Sequence, residues 1–592
     1  MNISSKSSSK KILIYAHYNP HDEVFSHVKY TLEKLRPFFK SIIFVSNSNI
    51  ADGDIENVQK YTDKIKIRKN TGLFYGAWKD VIMDEGWESL TTFDSLTLMN
   101  DACFGPLFPL ESAFSRQEKE NVDLWSFSEE YDIEGNYMPK NHICFGKQAI
   151  ISTIFQKFWD KIFPSNNSTL TETIRVYEQQ LIKKLQSAGF SYSTYRNAEG
   201  STNIHPGSSS FEYKFTDING NPFIKISNFF NYTQNSLLIK QIEASSTYPI
   251  NAIHEYFYRT YNPNESLKLL NKSVVVYDKK ILESNNSVKI ALHIHAYYIE
   301  IFEIFFQYIK NWQLNFDLFV TTDTQAKCNQ IETIIQKTKK EKLLKKIIVY
   351  ENRGRDIYPW LSLSEFIQDY DIVGHFHSKR TTIKTENIGT AWVQEIIESL
   401  IIPIDDIIDI FNENNDIGII MPDIPNRLKF EPEKNLWLKN KLNCEVLWEK
   451  MKTKKTINFK EIQTPIMPIG NMFWYKPNAL KPLFDLKLSA IAFPLEPISE
   501  DGTIAHAIER LPIYIAWSQG YDFRIAINKK NILSAFEINL RGEILEKLEK
   551  RDIQIKRLIR QLNIIQISFT WRIGAFFTYI PNKIFSFFQR KK

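Results

Sequence analysis

The segment RKNTGLFYGAW at residues 68–78 has a counterpart in ENRGRDIYPW at residues 351–360. Each contains an Asn, then a Gly two positions later, then a Trp six positions after the Gly. Each also follows a short apolar run typical of a buried strand, KIKI at 64–67 and KIIVY at 346–350. A strand that runs through a Gly turn into a helix is a building unit of α/β sheets. The repeat predicts two α/β units of similar construction, and a chance similarity of two turns is the alternative.

The order of elements around the two segments favours duplication over chance. Strand-like runs alternate with helical periodicity from residue 11 to about residue 200, and the same order begins again at residue 288. We therefore expect one parallel-rich α/β domain with a linker at 1–270 and a second at 285–535, followed by a helical tail at 541–592. Ligands of such sheets bind at the carboxyl ends of the strands.

Length and cysteine usage limit the class of protein. A chain of 592 residues exceeds what one hydrophobic core usually supports. The four cysteines are scattered without a Cys-x-x-Cys pair, which argues against a disulfide scaffold and suits a reducing cytoplasm. The N-terminal MNISSKSSSKK lacks the pattern of a signal peptide, so we expect a cytoplasmic protein.

The positive charge is concentrated in the tail. Residues 553–592 contain eight Lys or Arg and no acidic residue, whereas the whole chain carries only +6, so the body is slightly acidic and is not expected to bind nucleic acid. The tail predicts an anionic membrane surface as partner, with cations facing lipid and aromatic residues inserted. A helix packed on the body is the alternative. The inserted residues would be Trp571, Phe576, Phe577, Phe585 and Phe588.

The first unit offers few candidates for chemistry. The turn with Asn70 and Gly72 suits a phosphate or sugar, because Gly permits close approach and the Asn amide can both donate and accept. Asn100 and Asp101 end an apolar strand, where a carboxylate could hold Mg²⁺ or Mn²⁺ against a diphosphate. A helix N-cap is the alternative for Asp101. Glu178 is a candidate general base, or else a solvated helix residue.

The second unit is richer in candidate residues. His375 and His377 lie two apart on a predicted strand and share one face, as do His293 and His295. Four imidazoles on adjacent strands could form a zinc site, although no acidic or Cys ligand accompanies them at suitable spacing. Cations after the strand and in the Asn-x-Gly turn are better read as neutralising a diphosphate in place of a metal. These cations are Lys379, Arg380, Arg353 and Arg355.

Two later motifs complete the set. The run MPIGNMFWYKPNAL at 467–480 presents Asn471 and Trp474 around a turn. In EDGTIAHAIER at 500–510, Glu500 and Asp501 precede an amphipathic helix that contains His506. A carboxylate in that position suits a base that deprotonates a sugar hydroxyl, and helix capping is the alternative reading.

Taken together, NDACFGP, ENRGRDIYPWL, HFHSKR, GNMFWYKPNAL and EDGTIAHAIER resemble the rhamnan synthesis protein F family of bacterial polysaccharide glycosyltransferases. The resemblance covers most of residues 11–530. It implies transfer of a sugar, with rhamnose from dTDP-rhamnose expected, to a lipid-linked glycan on the inner face of the plasma membrane. It also implies two GT-A-like, Rossmann-related domains in tandem.

The resemblance assigns expected roles to the candidate residues. Asp101 would contact the metal or the donor, Glu178 would be the base of the first domain, and Glu500 with Asp501 would supply the base of the second. The expected donor-binding residues are Asn70, Gly72, Asn100, Asp101, Asn352, Gly354, Arg355, Asp356, His375, His377, Lys379 and Arg380. The expected acceptor-binding residues are Asn471, Trp474 and His506. Neither unit has a full Asp-x-Asp motif, since Cys103 stands at the second acidic position of the first.

Three hypotheses follow. The first is a duplicated or bifunctional glycosyltransferase. The second has one active half and one glycan-binding half. The third is a zinc-dependent hydrolase that uses the paired histidines.

Overall fold

The structure is a computed structural model that describes residues 9–131, 137–139, 142–161, 180–196, 222–231, 235–277, 288–378, 392–425, 436–532, 551 and 554–561. Glu178, Lys379 and Arg380 lie outside these residues, as does nearly all of the expected tail. Residues 551 and 554–561 are helical and exposed.

The first half forms an eight-stranded sheet and a short two-stranded one. Its strands are β1 (Lys11–His17), β2 (Ser41–Ser46), β3 (Lys64–Ile67), β4 (Ser95–Asn100), β5 (Cys103–Phe104), β6 (Leu124–Tyr131), β7 (Tyr137–Pro139), β8 (His142–Gly146), β9 (Tyr192–Arg196) and β10 (Ile224–Lys225). The large sheet has the order β3-β2-β1-β4-β8-β6-β7, and β9 also pairs with β6. Strands β1 to β4 are parallel, and β8 is antiparallel to both β4 and β6.

The second half forms another eight-stranded sheet. Its strands are β11 (Ser273–Val276), β12 (Ile290–His295), β13 (Asp317–Thr322), β14 (Leu344–Val349), β15 (Ile372–His377), β16 (Ile417–Pro422), β17 (Phe473–Tyr475) and β18 (Asp522–Asn528). The order is β11-β18-β16-β17-β15-β12-β13-β14. Strands β12 to β15 are parallel, and β17 is antiparallel to β15 and β16.

The two large sheets therefore share one connectivity. Four parallel strands lie side by side in each sheet, in the order β3-β2-β1-β4 in the first and β14-β13-β12-β15 in the second. One antiparallel strand follows, β8 between β4 and β6 in the first sheet and β17 between β15 and β16 in the second. The last strand of the shared pattern, β9 or β18, then adds parallel to its neighbour. The mixed α/β class with parallel-rich sheets is confirmed, and the duplicated order of elements that the repeated segment predicted is present in both halves.

Helices cover both faces of the sheets because their apolar residues lie on one side. In Ile299–Ile309, for example, Phe302, Phe305, Phe306 and Ile309 are buried at helical spacing. The helices of the first half are Ser26–Leu35, Asp52–Gln59, Leu73–Leu90, Glu111–Glu120, Lys147–Ile151, Thr153–Lys161 and Gln180–Ser187. Those between the halves are Asn235–Ser245, Ile250–Thr260 and Pro263–Leu269. Those of the second half are Ile299–Ile309, Gln325–Lys337, Ile357–Leu361, Ser364–Ile367, Ile404–Glu413, Lys441–Met451, Lys481–Phe484, Ile504–Glu509 and Pro512–Ser518.

Residues 235–277 are more than the linker that the sequence suggested. They form three helices and β11, and β11 pairs with β18 at the edge of the second sheet. The buried Lys272 just before β11 forms an ion pair of 2.6 Å with Asp522. Asn264 donates to the Thr464 carbonyl at 2.8 Å. The segment therefore contacts both halves: β11, Lys272 and Asn264 join it to the second half, whereas Arg259 pairs with Glu23 of the first half at 2.9 Å and Glu255 accepts the Ser26 backbone N–H at 2.9 Å.

No helix in the described ranges has both the length and the apolar character needed to cross a bilayer.

Candidate functional site

Polar side chains gather at the carboxyl edge of each large sheet. At the first edge, Asp101 follows β4 and donates its backbone N–H to the Ala16 carbonyl at 3.2 Å. The Asp101 Oδ2 atom accepts the backbone N–H of Tyr18 at 2.9 Å and lies 4.0 Å from His17 Nε2. His17 Nδ1 lies 3.0 Å from Ser46 Oγ, so a histidine at the end of β1 is held by a hydroxyl of β2.

Burial governs the charge of this first cluster. It raises the pKa of Asp101 to about 7 and lowers the pKa of His17 to about 3. A neutral imidazole cannot compensate the Asp101 carboxylate, so the carboxyl group is only partly ionised near neutral pH.

The first edge fits a divalent cation only in part. Asp101 and His17 are two suitable ligands, but the described part of the chain contains no group of three or more His, Cys, Asp or Glu residues placed to hold a metal. Mg²⁺ is commonly held by one or two carboxylates together with substrate phosphates. A cation here would therefore need oxygen ligands from a bound diphosphate.

Hydrogen bonds donated by Arg68 stabilise the first Asn-x-Gly turn. Arg68 donates to Asn47 Oδ1 at 2.5 Å, to the Thr71 carbonyl at 3.0 Å and to Asp80 at 2.6 Å. Gly72 adopts φ 71° just before the helix Leu73–Leu90, a conformation that favours glycine. Asn70 is exposed and faces solvent.

The Trp of each repeated segment belongs to the core. Trp78 is 2% exposed and donates its indole N–H to the Met99 carbonyl at 3.1 Å. Trp360 is fully buried and donates to the Tyr475 hydroxyl at 2.9 Å. Its ring also stacks on His375, with centroids 4.6 Å apart. The repeat thus carries a shared packing role beside any role in binding.

The second edge holds a more extensive network centred on Asp356. Its Oδ2 accepts from Asn471 Nδ2 at 2.9 Å and lies 3.6 Å from His375 Nε2 and 3.8 Å from His377 Nε2. Asn471 Nδ2 also lies 3.0 Å from His375 Nε2. The sequence predicted all four of these residues as site residues, and the structure brings them together.

The turn that carries Asn471 is fixed by its backbone. Gly470 and Asn471 have φ of 87° and 55°, and a Cβ on Gly470 would lie 2.3 Å from the Trp392 ring. The Gly470 carbonyl accepts from His377 Nε2 at 2.6 Å. Asn471 Oδ1 is buried and has no hydrogen-bond partner among the described residues. Only Gly fits at position 470, so the turn is rigidly placed.

The pKa of the carboxyl group in the second cluster is shifted in the opposite direction from that of Asp101. Burial alone raises the pKa of Asp356, but His377, His375 and Asn471 outweigh it and hold the pKa well below its usual range. Burial lowers the pKa of His375 and of His295 to about 4. The site therefore contains a fixed carboxylate among histidines, of which His375 and His295 are neutral at pH 7.

Three of the four histidines are linked through hydrogen bonds to one another or to the Thr321 hydroxyl. His293 Nδ1 lies 3.0 Å from His375 Nδ1, and His293 Nε2 lies 2.9 Å from Thr321 Oγ1. His295 Nδ1 lies 2.9 Å from the same Thr321 oxygen. Both nitrogens of His293 are thereby occupied, and the imidazoles do not converge on one point. This arrangement does not fit the zinc site of the hydrolase hypothesis.

The second Asn-x-Gly turn lies above this network. Asn352 and Arg355 are exposed, and Arg355 Nε is 3.8 Å from Glu496 Oε1. Gly354 has φ 72°, and a Cβ there would approach Tyr358 to 2.8 Å. Arg353 donates to the Phe493 carbonyl at 2.7 Å. Arg353 therefore ties the turn to a neighbouring loop, in contrast to the diphosphate contact that the sequence suggested.

Three residues that were expected to bind substrate or act in catalysis make contacts that stabilise the fold. Trp474 was expected to bind acceptor, but it is fully buried in the core and donates to the Leu400 carbonyl at 2.8 Å. His506 was expected to do the same, but its Nδ1 lies 2.8 Å from Thr503 Oγ1 in a helix-capping arrangement. Both assignments failed because an aromatic beside a turn and a histidine in a first helical turn look alike in sequence whether buried or exposed.

Asp501 is the third predicted site residue whose contacts stabilise the fold. Its carboxylate accepts from the Lys439 backbone at 2.9 Å and from Asn440 Nδ2 at 2.6 Å. Although partial burial alone raises the pKa of Asp501, these bonds and nearby Arg510 lower it. A low pKa and three partners suit a loop anchor better than a base. Glu500 is exposed and stays the candidate base of this pair.

Sequence reasoning missed Thr321, Ser46 and His17. The hydroxyls lie inside apolar strand patterns, where nothing marks them as partners of a histidine. A usable signal was the histidine that ends the first strand of each unit, His17 and His295.

The amino-acid sequence matches a known protein family. A family model described as rhamnan synthesis protein F matches residues 42–521. The chain belongs to the rhamnan synthesis protein F family.

Two relatives of this family member carry names without a function. The uncharacterized protein WxcX of Xanthomonas campestris pv. campestris (strain B100) is 28% identical over 221 residues, which is 37% of this chain and 30% of that protein. The uncharacterized protein y4gN of Sinorhizobium fredii (strain NBRC 101917 / NGR234) is 27% identical over 189 residues, 31% of this chain and 47% of that protein. The chain thus spans less than half the length of either relative.

Solved structures with partial likeness include two transferases. The glycosyltransferase GlyE of Streptococcus pneumoniae TIGR4 matches with 12% identity and TM-score 0.26, over 63% of this chain and 87% of that one. The glucosyl-3-phosphoglycerate synthase of Mycobacterium tuberculosis, in complex with Mn²⁺, uridine-diphosphate-glucose and phosphoglyceric acid, matches with 10% identity and TM-score 0.19, over 31% and 81%. Scores this low carry no argument for either half.

Proposed function

We propose that this member of the rhamnan synthesis protein F family transfers rhamnose from dTDP-rhamnose to a lipid-linked glycan during bacterial surface-polysaccharide synthesis. The nucleotide sugar binds at the carboxyl edge of the second sheet. The observation that carries this proposal is the Asp356 network, in which a buried carboxylate, an amide and two imidazoles from separate loops and strands meet within 4 Å. Ligands of open α/β sheets bind at this edge.

Each residue of the network has a proposed task. Asp356 and Asn471 hold the two turns that form the rim of the donor site, and His377 fixes the Gly470 carbonyl. Asn352 and Arg355 extend from the first turn toward the bound nucleotide. Glu500 is the proposed base that deprotonates the acceptor hydroxyl.

The test is donor turnover by the full-length protein. Wild type is expected to release dTDP from dTDP-rhamnose in preference to UDP- or GDP-sugars, and Asp356→Asn is expected to lose a factor of about 10². Asp485→Asn removes an exposed carboxylate that pairs with Lys481 of the helix that Asp485 caps, and it serves as the matched control. A wild-type protein that turns over no nucleotide sugar, or a fully active Asp356→Asn variant, would overturn the proposal.

The first half is proposed either as a second transferase centre or as a glycan-binding half. For a transferase centre, Asn70, Gly72, Asn100 and Asp101 would face the donor, and Asp101 with His17 would hold Mg²⁺ or Mn²⁺ together with its diphosphate. The glycan-binding version is favoured because the described residues contain no group of three or more His, Cys, Asp or Glu side chains placed to hold a metal. Asp101→Asn in the full chain should abolish a Mn²⁺-dependent transfer if the first version holds, and should leave transfer unchanged if the second holds.

A polar cavity is the proposed site for the acceptor glycan. It measures about 560 Å³ and is lined by residues from both halves, among them His21, Asn262, Asn458, Glu461 and Gln463. Amide and carboxylate groups of this kind can bond sugar hydroxyls. Gln463→Ala should raise the KM for acceptor while leaving the KM for dTDP-rhamnose unchanged, and the reverse pattern would contradict this location.

The basic tail is proposed to hold the enzyme at the cytoplasmic face of the membrane. In its described part, Ile555, Leu558 and Ile559 are each 51% exposed, so they form an uncovered apolar face. A protein ending at Asp552 should lose sedimentation with anionic vesicles, to which each Lys or Arg could contribute about 1 kcal/mol. Equal sedimentation of the truncated and full chains would contradict the role.

A further inference from the structure

The hydrogen bonds of the second edge run in one forced direction. The Asp356 carboxylate can only accept, so the group of Asn471 that lies 2.9 Å from it must be the amide nitrogen. The same nitrogen lies 3.0 Å from His375 Nε2. Because an amide NH₂ only donates, His375 Nε2 must carry a lone pair.

The direction of hydrogen-bond donation continues from His375 on β15 to His293 on β12 and Thr321 on β13. A neutral His375 without a proton on Nε2 carries it on Nδ1 and donates to His293 Nδ1 at 3.0 Å. His293 therefore carries its proton on Nε2 and donates to Thr321 Oγ1 at 2.9 Å. The Thr321 hydroxyl, having accepted this bond, directs its own hydrogen to His295 Nδ1 at 2.9 Å. His295 is left as the tautomer with its proton on Nε2.

The end of this chain is at the edge where the donor is proposed to bind. His295 is the last residue of β12 and pairs in register with His377, the last residue of β15. Its ring is 95% buried, so its orientation is set by the strand and by Thr321. Burial keeps the pKa of His295 at about 4, so the group is a neutral N–H donor at pH 7.

We propose that His295 donates its Nε2–H to an acceptor oxygen of the bound nucleoside diphosphate and that Thr321 sets the tautomer that makes this possible. The inference rests on the donor site of the proposed function and adds to it a binding residue and a positioning residue. His295 touches the nucleotide, whereas Thr321, His293 and His375 act through it.

The first test compares two amide replacements of His295. A Gln side chain can place an N–H close to the Nε2 position, whereas an Asn side chain reaches only the Nδ1 position. Calorimetry with dTDP should give His295→Asn an affinity at least about tenfold weaker than wild type, the size expected for a lost bond to a charged group, with His295→Gln within about threefold of wild type. If two dTDP sites are resolved, the loss is expected at one of them.

The second test concerns Thr321. Thr321→Val removes the hydroxyl at constant shape and should weaken dTDP binding, while Thr321→Ser should restore it. Thr333→Val is the matched control, because the exposed Thr333 hydroxyl donates to the Asn329 carbonyl of its own helix at 2.8 Å. Circular dichroism of each variant checks that the fold is retained.

A spectroscopic readout makes the tautomer itself visible. In full-length protein labelled with ¹⁵N-histidine, His295 and His293 should show protonated Nε2 and His375 protonated Nδ1, and Thr321→Val should move His295 toward a mixture of tautomers. A wild-type protein that binds no nucleoside diphosphate would contradict the proposed function. Binding that is equal in wild type, His295→Asn and Thr321→Val, or an Nδ1-protonated His295, would overturn this inference and leave the proposed function standing.

Discussion

Two carboxylates at equivalent edges of the two sheets have opposite electrostatic surroundings. Asp101 at the first edge accepts one backbone N–H and faces a neutral His17, and burial raises its pKa to about 7. Asp356 at the second edge has Asn471, His375 and His377 around it, which overcome burial and hold its pKa well below the usual range. Two sheets with one connectivity thus surround the same chemical group in different ways.

The difference lies in which groups the neighbouring loops and strands bring close to the carboxylate. At the second edge, the turn at Gly470 and Asn471 reaches across and adds an amide to two imidazoles. At the first edge, the Tyr18 backbone N–H donates to Asp101, and His17 Nε2 lies 4.0 Å from its carboxylate. An under-compensated carboxylate gains from a cation, whereas a fully bonded one does not need one. A shared strand order therefore does not fix the surroundings of the carboxylate, which single loops determine.

The largest expected contrast is in stability. Asp356→Asn removes the buried charge around which Asn471, His375 and His377 are arranged and should lower the free energy of unfolding by about 3 kcal/mol, the range measured for broken buried charge networks. Asp101→Asn keeps an oxygen for the Tyr18 N–H and removes a strained charge, so it should be neutral or stabilising at pH 8. Urea unfolding followed by tryptophan fluorescence measures both. Equal losses in the two variants would mean that the edges are electrostatically alike.

A pH dependence is the next largest effect. The pKa of Asp101 rises from 3.8 to about 7 on folding, so between these values the folded state binds more protons than the unfolded state. Stability should therefore fall as the pH rises from about 4 to 7, by on the order of 2 kcal/mol after allowance for partial solvent screening. Comparison of the unfolding midpoint of wild type with that of Asp101→Asn across this range isolates the contribution. A difference between the two proteins that does not change with pH would contradict the raised pKa.

Sequence reasoning was most successful where a pattern is set by the backbone. The strand and helix order of both halves and the Gly turns at 72 and 354 follow from periodicity and from φ angles that only glycine adopts easily. Asp356, His375 and His377 were all expected in the donor site, and they lie together because β14, which precedes Asp356, runs parallel to β15 and ends at the same edge of the sheet.

Sequence reasoning was least successful where the outcome depends on three-dimensional partners. Nothing in the run FDLFVTTDT shows that Thr321 joins two histidines of the neighbouring strand. Nothing in GNMFWYKPNAL shows that Trp474 points into the core while Asn471 points to the site. The sequence shows that successive side chains of a short strand point to opposite faces of the sheet. Which face is buried is decided by the antiparallel insertion of β17 between β15 and β16.

The Trp of the repeated segment tests whether the two halves share a packing role. Trp78→Phe and Trp360→Phe each remove one indole N–H bond, to the Met99 carbonyl and to the Tyr475 hydroxyl respectively. Each should cost about 1 kcal/mol of unfolding free energy, since a buried acceptor loses its partner. Thermal unfolding of both variants measures the effect. A loss in one variant alone would show that the repeated Trp serves only one half as a structural element.

The smallest effect on stability is expected from the Asn of each repeated segment, and for that reason it separates binding from folding. Asn70 and Asn352 are both exposed, so replacing either by Ala should change the free energy of unfolding by less than about 0.5 kcal/mol. A side-chain amide that bonds a bound nucleotide contributes about 1 kcal/mol, which corresponds to about a fivefold change in Kd. Asn352→Ala should therefore weaken dTDP binding by about that factor if the second edge holds the donor, and Asn70→Ala should do so only if the first edge binds a nucleotide as well. The two variants are each other's control, because the substitution, the exposure and the turn are the same. If neither changes the Kd, the repeated Asn is a feature of the turn and contributes nothing to recognition in either half.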